Sequence, residues 1–165
     1  MRRWSHLALL LAARLFTHVT EAAAMSPLPF FQQVERVGLL CAVDAEGGPA
    51  ADIGDDTLCG RAAVVLSGLL TSGPAVAVLA PNDVRIAAPG TLLVLVHATL
   101  RPEGKDGRLL AFAATLQRSG SGSGPPFFMT PPQALTLSGS LEESLLDSAL
   151  RRLLAPLAAA LRTNP

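Results

Sequence analysis

The sequence predicts one α+β domain of two layers, in which a mixed or antiparallel sheet of four to five strands carries two helices on one face. Its 165 residues suit a single domain, and half of them are hydrophobic, which is enough for a core. The apolar segments follow strand and helix periods in the order β-α-β-β-β-(β)-α. With six Phe, one Trp and no Tyr, that core must be mainly aliphatic.

The first half of the chain predicts a strand-helix-strand unit. Residues 34–43 are aliphatic and β-branched, as in a buried strand, and residues 75–80 form a second short strand. Between them, Asp55 or Asp56 is placed to cap a helix that extends to about Leu70. The connection is long enough for the two strands to pair in parallel. The apolar positions that share one face of this helix are Leu58, Cys59, Ala62, Val65, Leu66 and Leu69.

The second half predicts an antiparallel hairpin followed by a loop and a weak strand. Residues 91–100 and 108–118 are the two hairpin strands, joined by a turn that contains Gly and Pro. The Gly, Ser and Pro residues of 119–126 indicate a flexible loop. A short edge strand is expected at residues 133–139.

The last predicted element is an amphipathic helix. Ser140 and Glu143 have the spacing of a capping box, which places the start of the helix there. Pro156 lies within the apolar pattern and is expected to kink or interrupt the helix. The apolar positions at helical spacing are Leu141, Leu145, Leu146, Ala149, Leu150, Leu153, Leu154, Leu157 and Leu161.

Residues 1–24 have the layout of a signal peptide. Arg2 and Arg3 form a basic start, residues 7–13 are apolar, and three alanines precede Met25. This pattern predicts export, with a domain of residues 25–165 in the periplasm or outside the cell. Two alternatives remain open: Met25 is the true start of a cytoplasmic protein, or residues 1–24 form an amphipathic surface helix.

The two cysteines are predicted to form a disulfide. Cys41 falls late in the first strand and Cys59 in the first turn of the following helix, so both belong to the same end of one strand-loop-helix unit. A bridge is consistent with an exported protein. The alternative is a pair of buried free thiols that act as small apolar side chains.

The residues around these cysteines also raise the question of a catalytic or metal site. Five acids lie between them, but their spacing does not match an EF-hand loop, and capping or solvation of the loop explains them better. The sequence contains no nucleophile motif for which His97 could act as general base, and Ser67 lacks the flanking glycines of a nucleophile elbow. No cofactor or metal is therefore expected. A cofactor-independent small enzyme that uses acids near residues 52–56 remains the alternative. The five acids are Asp44, Glu46, Asp52, Asp55 and Asp56.

The segment of residues 125–132 is the candidate for partner recognition. It places Phe127, Phe128 and Met129 between two pairs of prolines and beside the Gly/Ser loop. Exposed aromatic and Met side chains on a stiff extended segment suit protein binding. The alternative is that the two Phe rings fold back into the edge of the core.

The charge of the chain narrows the choice of partner. Thirteen basic and thirteen acidic residues give a formal net charge of zero, without the basic excess that nucleic-acid binding needs.

The order of elements is similar to that of the accessory domains of bacterial envelope lipoproteins that place two helices on a sheet, such as those of lipopolysaccharide transport and curli secretion. The resemblance implies a non-catalytic binding or assembly role in the envelope, with a protein partner. No transmembrane segment is expected in the mature chain, because its uninterrupted apolar runs fall well short of about 18 residues.

Overall fold

A central strand, β1 (Arg36–Ala45), organises the sheet of this protein. In the computed structural model, which describes residues 29–46, 53–105, 107–119 and 128–164, β1 pairs in parallel with β2 (Ala75–Val78) on one side and with β3 (Thr91–Glu103) on the other. The parallel pairing of β1 with β2 confirms the predicted crossover, which contains helix α1 (Asp55–Leu69).

The hairpin is present as predicted and forms the other half of the sheet. Strand β3 pairs antiparallel with β4 (Gly107–Arg118) along the whole length of both strands. The last strand is split into β5 (Phe128–Met129) and β6 (Gln133–Leu137), both of which pair antiparallel with β4. The strand order is therefore β2-β1-β3-β4, followed by β5 and β6 along one edge.

The split between β5 and β6 marks a change of register. Thr115 pairs with Met129, so an unbroken ladder would bring Phe112 opposite Pro132, but Phe112 pairs with Gln133 instead. One extra residue is thus accommodated in the interval that contains the two prolines. Proline has no N–H to donate to a ladder and is found at edges and bulges.

Both helices lie on one face of the sheet, which confirms the predicted α+β architecture. The predicted face of α1 is buried, apart from Leu69, which is half-buried. Helix α2 (Glu143–Thr163) packs beside α1 and over the β6 side of the sheet. The core between the layers is mainly aliphatic. Its largest fully buried side chains are Phe112, Leu39, Ile53, Leu58, Leu66, Leu92, Leu110, Leu116, Leu146, Leu150, Leu153 and Leu154.

The ends of both helices differ from the prediction. Gly54, not Asp55 or Asp56, is the N-cap of α1. The N-cap of α2 is Glu142, one residue before Glu143, and Ser140 takes no part. In place of a capping box, the hydroxyl of Ser144 donates to Oε1 of Glu142 at 2.7 Å.

Helix α2 is continuous through Pro156, so the interruption that was one of the two expected outcomes does not occur. Pro156 and Arg152, whose carbonyl loses its helical donor, are both exposed, so water can satisfy that carbonyl. Leu145, which was expected to pack on the sheet, is 46% exposed. Neither helix in the described chain has the combination of length and apolar character that crossing a membrane requires.

The connection from β2 to β3 passes over the face of the sheet opposite the helices. Leu79 is buried there, and a Cβ placed on Gly38 would lie 2.4 Å from its Cδ1 atom. Glycine at position 38 allows this close approach, because a Cβ there would force the end of the Leu79 side chain to shift. No helix of the described residues covers the rest of this second face, which is called the open face below.

A short 3₁₀ turn in that connection, Val84–Ala87, is held by Asp83. Its carboxylate accepts hydrogen bonds from the backbone N–H and the guanidinium of Arg85. The bond from the Arg85 side chain lowers the pKa of Asp83 to about 2. Because a carboxyl with a depressed pKa stabilises the fold only while ionised, this contribution is kept at neutral pH and lost as the pH falls towards 2.

We expect Leu153→Ala to lower the free energy of unfolding by about 2–5 kcal/mol, because the side chain is fully buried between α2 and the sheet. Leu145→Ala on the same helix is the matched control, and it should cost less than about 1 kcal/mol because half of that side chain is exposed. Chemical denaturation of both variants measures the difference. Equal losses at the two positions would contradict the packing described for α2.

Candidate functional site

The corner where β1 ends and α1 begins holds the two cysteines. Cys41 on β1 and Cys59 on α1 form a disulfide with an Sγ–Sγ distance of 2.07 Å and a Cα–Cα distance of 5.5 Å. The pairing expected from the sequence is thus present in the structure. Cys59 is buried and Cys41 is half-buried, so the bridge lies between the core and the surface.

A second contact ties the same two elements together. Oδ1 of Asp55, in the first turn of α1, accepts a hydrogen bond at 2.7 Å from the backbone N–H of Val43 on β1. The odd-numbered residues of β1 direct their backbone groups towards β2, but β2 ends at Val78, opposite Leu39. Asp55 therefore takes the hydrogen bond that a longer β2 would have accepted. Its position explains why it does not cap α1.

A depression of about 400 Å³ opens beside this corner. It lies where β2 has ended, and its lining is mostly apolar and small, with the disulfide on one side. Three titratable side chains reach it: Asp55, Asp56 and His97. The remaining lining residues are Leu40, Cys41, Ala42, Cys59, Val78, Leu79, Ala80, Pro81 and Leu95.

The depression brings together two of the acids and the histidine that the sequence singled out, but it is wide and open to solvent. One oxygen of Asp55 is already engaged by Val43. A catalytic pair needs a nucleophile or a bound substrate within hydrogen-bond distance of the base. In the described ranges, no three His, Cys, Asp or Glu side chains are arranged to hold a metal ion.

The other residues considered from the sequence are dispersed. Asp44 and Glu46 face Arg101 across the sheet; Nη2 of Arg101 lies 2.7 Å from Oδ2 of Asp44. Ser67 is exposed on α1. Asp52 lies outside the described residues. The acids of the 44–56 stretch are thus divided between an ion pair on the open face and the corner of α1.

The recognition segment lies at the edge of the sheet. Phe128 and Met129 form β5, and their backbones pair with Leu116 and Thr115 of β4. Phe127 lies outside the described residues. In the part of the chain that the structure describes, β5 has a strand neighbour on one side only, so this segment borders the sheet.

Arg118 has a role that sequence reasoning missed. From the end of β4, its guanidinium donates to the carbonyls of Pro29, Phe30 and Gln33, at 3.1, 3.0 and 3.2 Å. It thereby fastens residues that are more than 80 positions earlier in the chain. No local sequence pattern predicts this contact, because it forms only when the fold brings the end of β4 beside the first described residues.

A second cavity, of about 450 Å³, lies next to that fastened segment. Phe31 and Val34 form one wall, and Leu70, Leu161 and Arg162 contribute the other. Nη1 of Arg162 donates to the carbonyl of Leu69 at 2.9 Å, which joins the C-terminal ends of the two helices. This cavity has an apolar lining with a cationic rim, and none of the sequence-predicted site residues reaches it.

Comparison with known proteins identifies related folds. No protein-family model and no curated protein matches the chain. Among solved structures, it is similar to the PelC dodecamer of Paraburkholderia phytofirmans, with 15% identity, coverage of 79% of this chain and 91% of PelC, and a TM-score of 0.51. At this identity, the likeness shows the fold alone.

Two other solved structures also match. The hypothetical protein CT253 of Chlamydia trachomatis is 10% identical, with coverage of 78% of this chain and 99% of that one and a TM-score of 0.46. A minor lipoprotein of Acinetobacter baumannii is 19% identical, with coverage of 76% and 87% and a TM-score of 0.24.

Removing the disulfide should destabilise the protein without abolishing its fold. The bridge spans a sequence separation of 18 residues, and closing a loop of that size is worth up to about 3 kcal/mol in the chain-entropy model. We expect the double variant Cys41→Ala, Cys59→Ala to lose about 2–3 kcal/mol in denaturant unfolding. Reduction of the wild-type protein should produce a similar loss, and no loss in either sample would contradict a structural role.

Proposed function

We propose that this protein is an exported accessory domain of the cell envelope that binds or helps to assemble a protein partner and performs no catalysis. The observation that carries the proposal is the disulfide between Cys41 and Cys59. Disulfides persist in oxidising compartments such as the periplasm and are rare in the reducing cytosol. The bridge agrees with the signal-like residues 1–24, which independently predict export.

The similarity to PelC supports the assembly part of the proposal. The PelC structure is a dodecamer, so a domain of this fold can present surfaces that bind other protein chains. In the part of the chain that the structure describes, two helices cover one face of the sheet, and no helix covers the open face or either edge. Such surfaces suit contact with a protein.

The segment of Phe127, Phe128 and Met129 is the proposed contact with the partner. Its strand, β5, is only two residues long and pairs with β4 alone in the described chain. The register shift and the two prolines that follow keep β5 from merging with β6. A border segment restricted by proline has less conformational entropy to lose on binding.

If the protein is exported, native protein should begin at or near Met25 and contain no free thiol. Mass spectrometry of protein purified from its own cells, alkylated without prior reduction, measures both properties. Peptides that contain Arg2 or Arg3 in the native protein would contradict cleavage. Alkylated Cys41 or Cys59 would indicate a cytoplasmic protein.

The contact segment is tested by the double variant Phe127→Ala, Phe128→Ala. We expect stability to change by less than about 1 kcal/mol, as for surface positions, while capture of the native envelope partner from a membrane extract is lost. Val84→Ala, at a side chain that is 86% exposed and lies outside the segment of residues 125–132, is the control and should capture the partner normally. A loss of several kcal/mol in the double variant would instead identify the rings as part of the core.

A further inference from the structure

We propose that the edge formed by β2 is an interface between two copies of this chain, which pair through β2 in antiparallel fashion across a two-fold axis. The proposal does not depend on the function proposed above. It rests on three properties of β2: the absence of charge along this edge, the backbone groups that it leaves unpaired, and a register in which the strand complements itself.

The two edges of the sheet differ in the features that prevent pairing with another chain. Natural proteins protect edge strands by keeping them short or with charges, prolines or bulges, because an open edge invites pairing with another chain. The edge of β5 and β6 has a register shift and two prolines within it. The edge of β2 is short and lies between Pro74 and Pro81, but the strand itself contains no proline or bulge, and residues 73–82 include no charged side chain. Its Val78 side chain is 46% exposed.

The backbone of β2 presents hydrogen-bonding groups outward. The N–H of Ala75 donates to Glu35, and the N–H of Leu79 donates to Leu39, so the odd-numbered residues face β1. In a parallel pair, successive residues point their backbone groups to opposite sides of the strand. Val76 and Val78 therefore direct their N–H and C=O groups away from β1. Among the described residues, no strand pairs with β2 on that side.

A second copy can satisfy all of these groups in one register. With the two-fold axis at Ala77, Val76 of each copy lies opposite Val78 of the other and exchanges two hydrogen bonds with it. The interface would thus gain four backbone hydrogen bonds. The same register places Ala80 opposite Pro74, which has no N–H, so the ladder ends there. The length of β2 matches the length of the proposed ladder.

The helix above β2 allows this approach. Helix α1 contacts both β1 and β2, and strands are spaced by about 4.8 Å, so the two copies of α1 would lie about 10 Å apart, a usual distance for packed helices. Arg61 on one flank of α1 is bonded to Asp147 of α2. The opposite flank, which would face the axis, contains the small residues Ala63 and Ser67 and, in the first turn of the helix, one charged residue, the exposed Asp56.

The first experiment measures the mass of the full-length, disulfide-intact protein in solution by light scattering at increasing concentration. We expect the wild type to reach twice the monomer mass and Val78→Lys to remain monomeric, because the substitution brings two like charges into the shared edge. Val84→Lys, at a more exposed side chain away from β2, is the matched control and should dimerise. A monomeric wild type at all concentrations, or a dimeric Val78→Lys variant, would overturn the proposal.

A second experiment tests the register itself. Ala77→Cys should form a covalent dimer under mild oxidation, since the two side chains at the axis form a non-hydrogen-bonded pair with Cβ atoms about 4.5–5.5 Å apart. Ala75→Cys is the control, because its neighbour in the other copy is Leu79, and it should not cross-link. Cross-linking of the Ala75 variant without the Ala77 variant would overturn the register and the proposal with it.

Discussion

The unequal length of β1 and β2 is the constraint on which the rest of this structure depends. Strand β1 has ten residues and β2 has four, so the second half of β1 has no strand on that side. The exposed backbone there must find other partners, because an unpaired N–H or C=O group that is shielded from water is costly. The start of α1 fills this role: Asp55 bonds Val43, and the disulfide fixes the helix against Cys41. The depression lies beside the second half of β1, at the place that a longer β2 would occupy and that α1 does not fill.

The two faces of the sheet differ in how much apolar surface they bury. The helices cover one face so completely that eight residues of α2 are buried, whereas the connection from β2 to β3 crosses the open face with Leu79 as its main buried contact. Stability therefore comes mainly from the helix side, where aliphatic side chains interlock. The open face and the edges contribute less to the core and are freer to change or to bind. This division is a physical reason to look for contacts with other proteins at the edges of the sheet.

The sequence predicted the parts of this fold that depend on periodicity. The faces of α1 and the hairpin of β3 and β4 follow from local patterns of apolar residues, and so does the disulfide, since its cysteines flank one strand-helix unit. The details that were wrong depend on tertiary contacts. Asp55 does not cap α1 because β1 competes for its carboxylate, and Leu145 is exposed because it lies on the same stripe of α2 as the exposed Arg152. The parallel pairing of β1 with β3 and the contacts of Arg118 join distant parts of the chain, and no local pattern contains them.

Composition links the core to the surfaces left for binding. The largest buried side chains of the described chain are leucines, with one isoleucine and one phenylalanine, so an aliphatic core fills the space between the layers. Leu and Val side chains can be buried without leaving a polar atom unsatisfied, but when they are exposed on a strand they favour association with other chains. Most of the open face avoids this by the use of small or polar residues, such as Ala113 and Thr115, and the β5–β6 edge avoids it with prolines. Strand β2 combines apolar side chains with unpaired backbone groups and no charge. The β5–β6 edge has prolines and a register shift within it, whereas β2 is limited only by its short length and by Pro74 and Pro81 on either side. Those limits stop a ladder from extending along β2, but in the described chain they leave the four residues of the strand itself able to pair with a second copy.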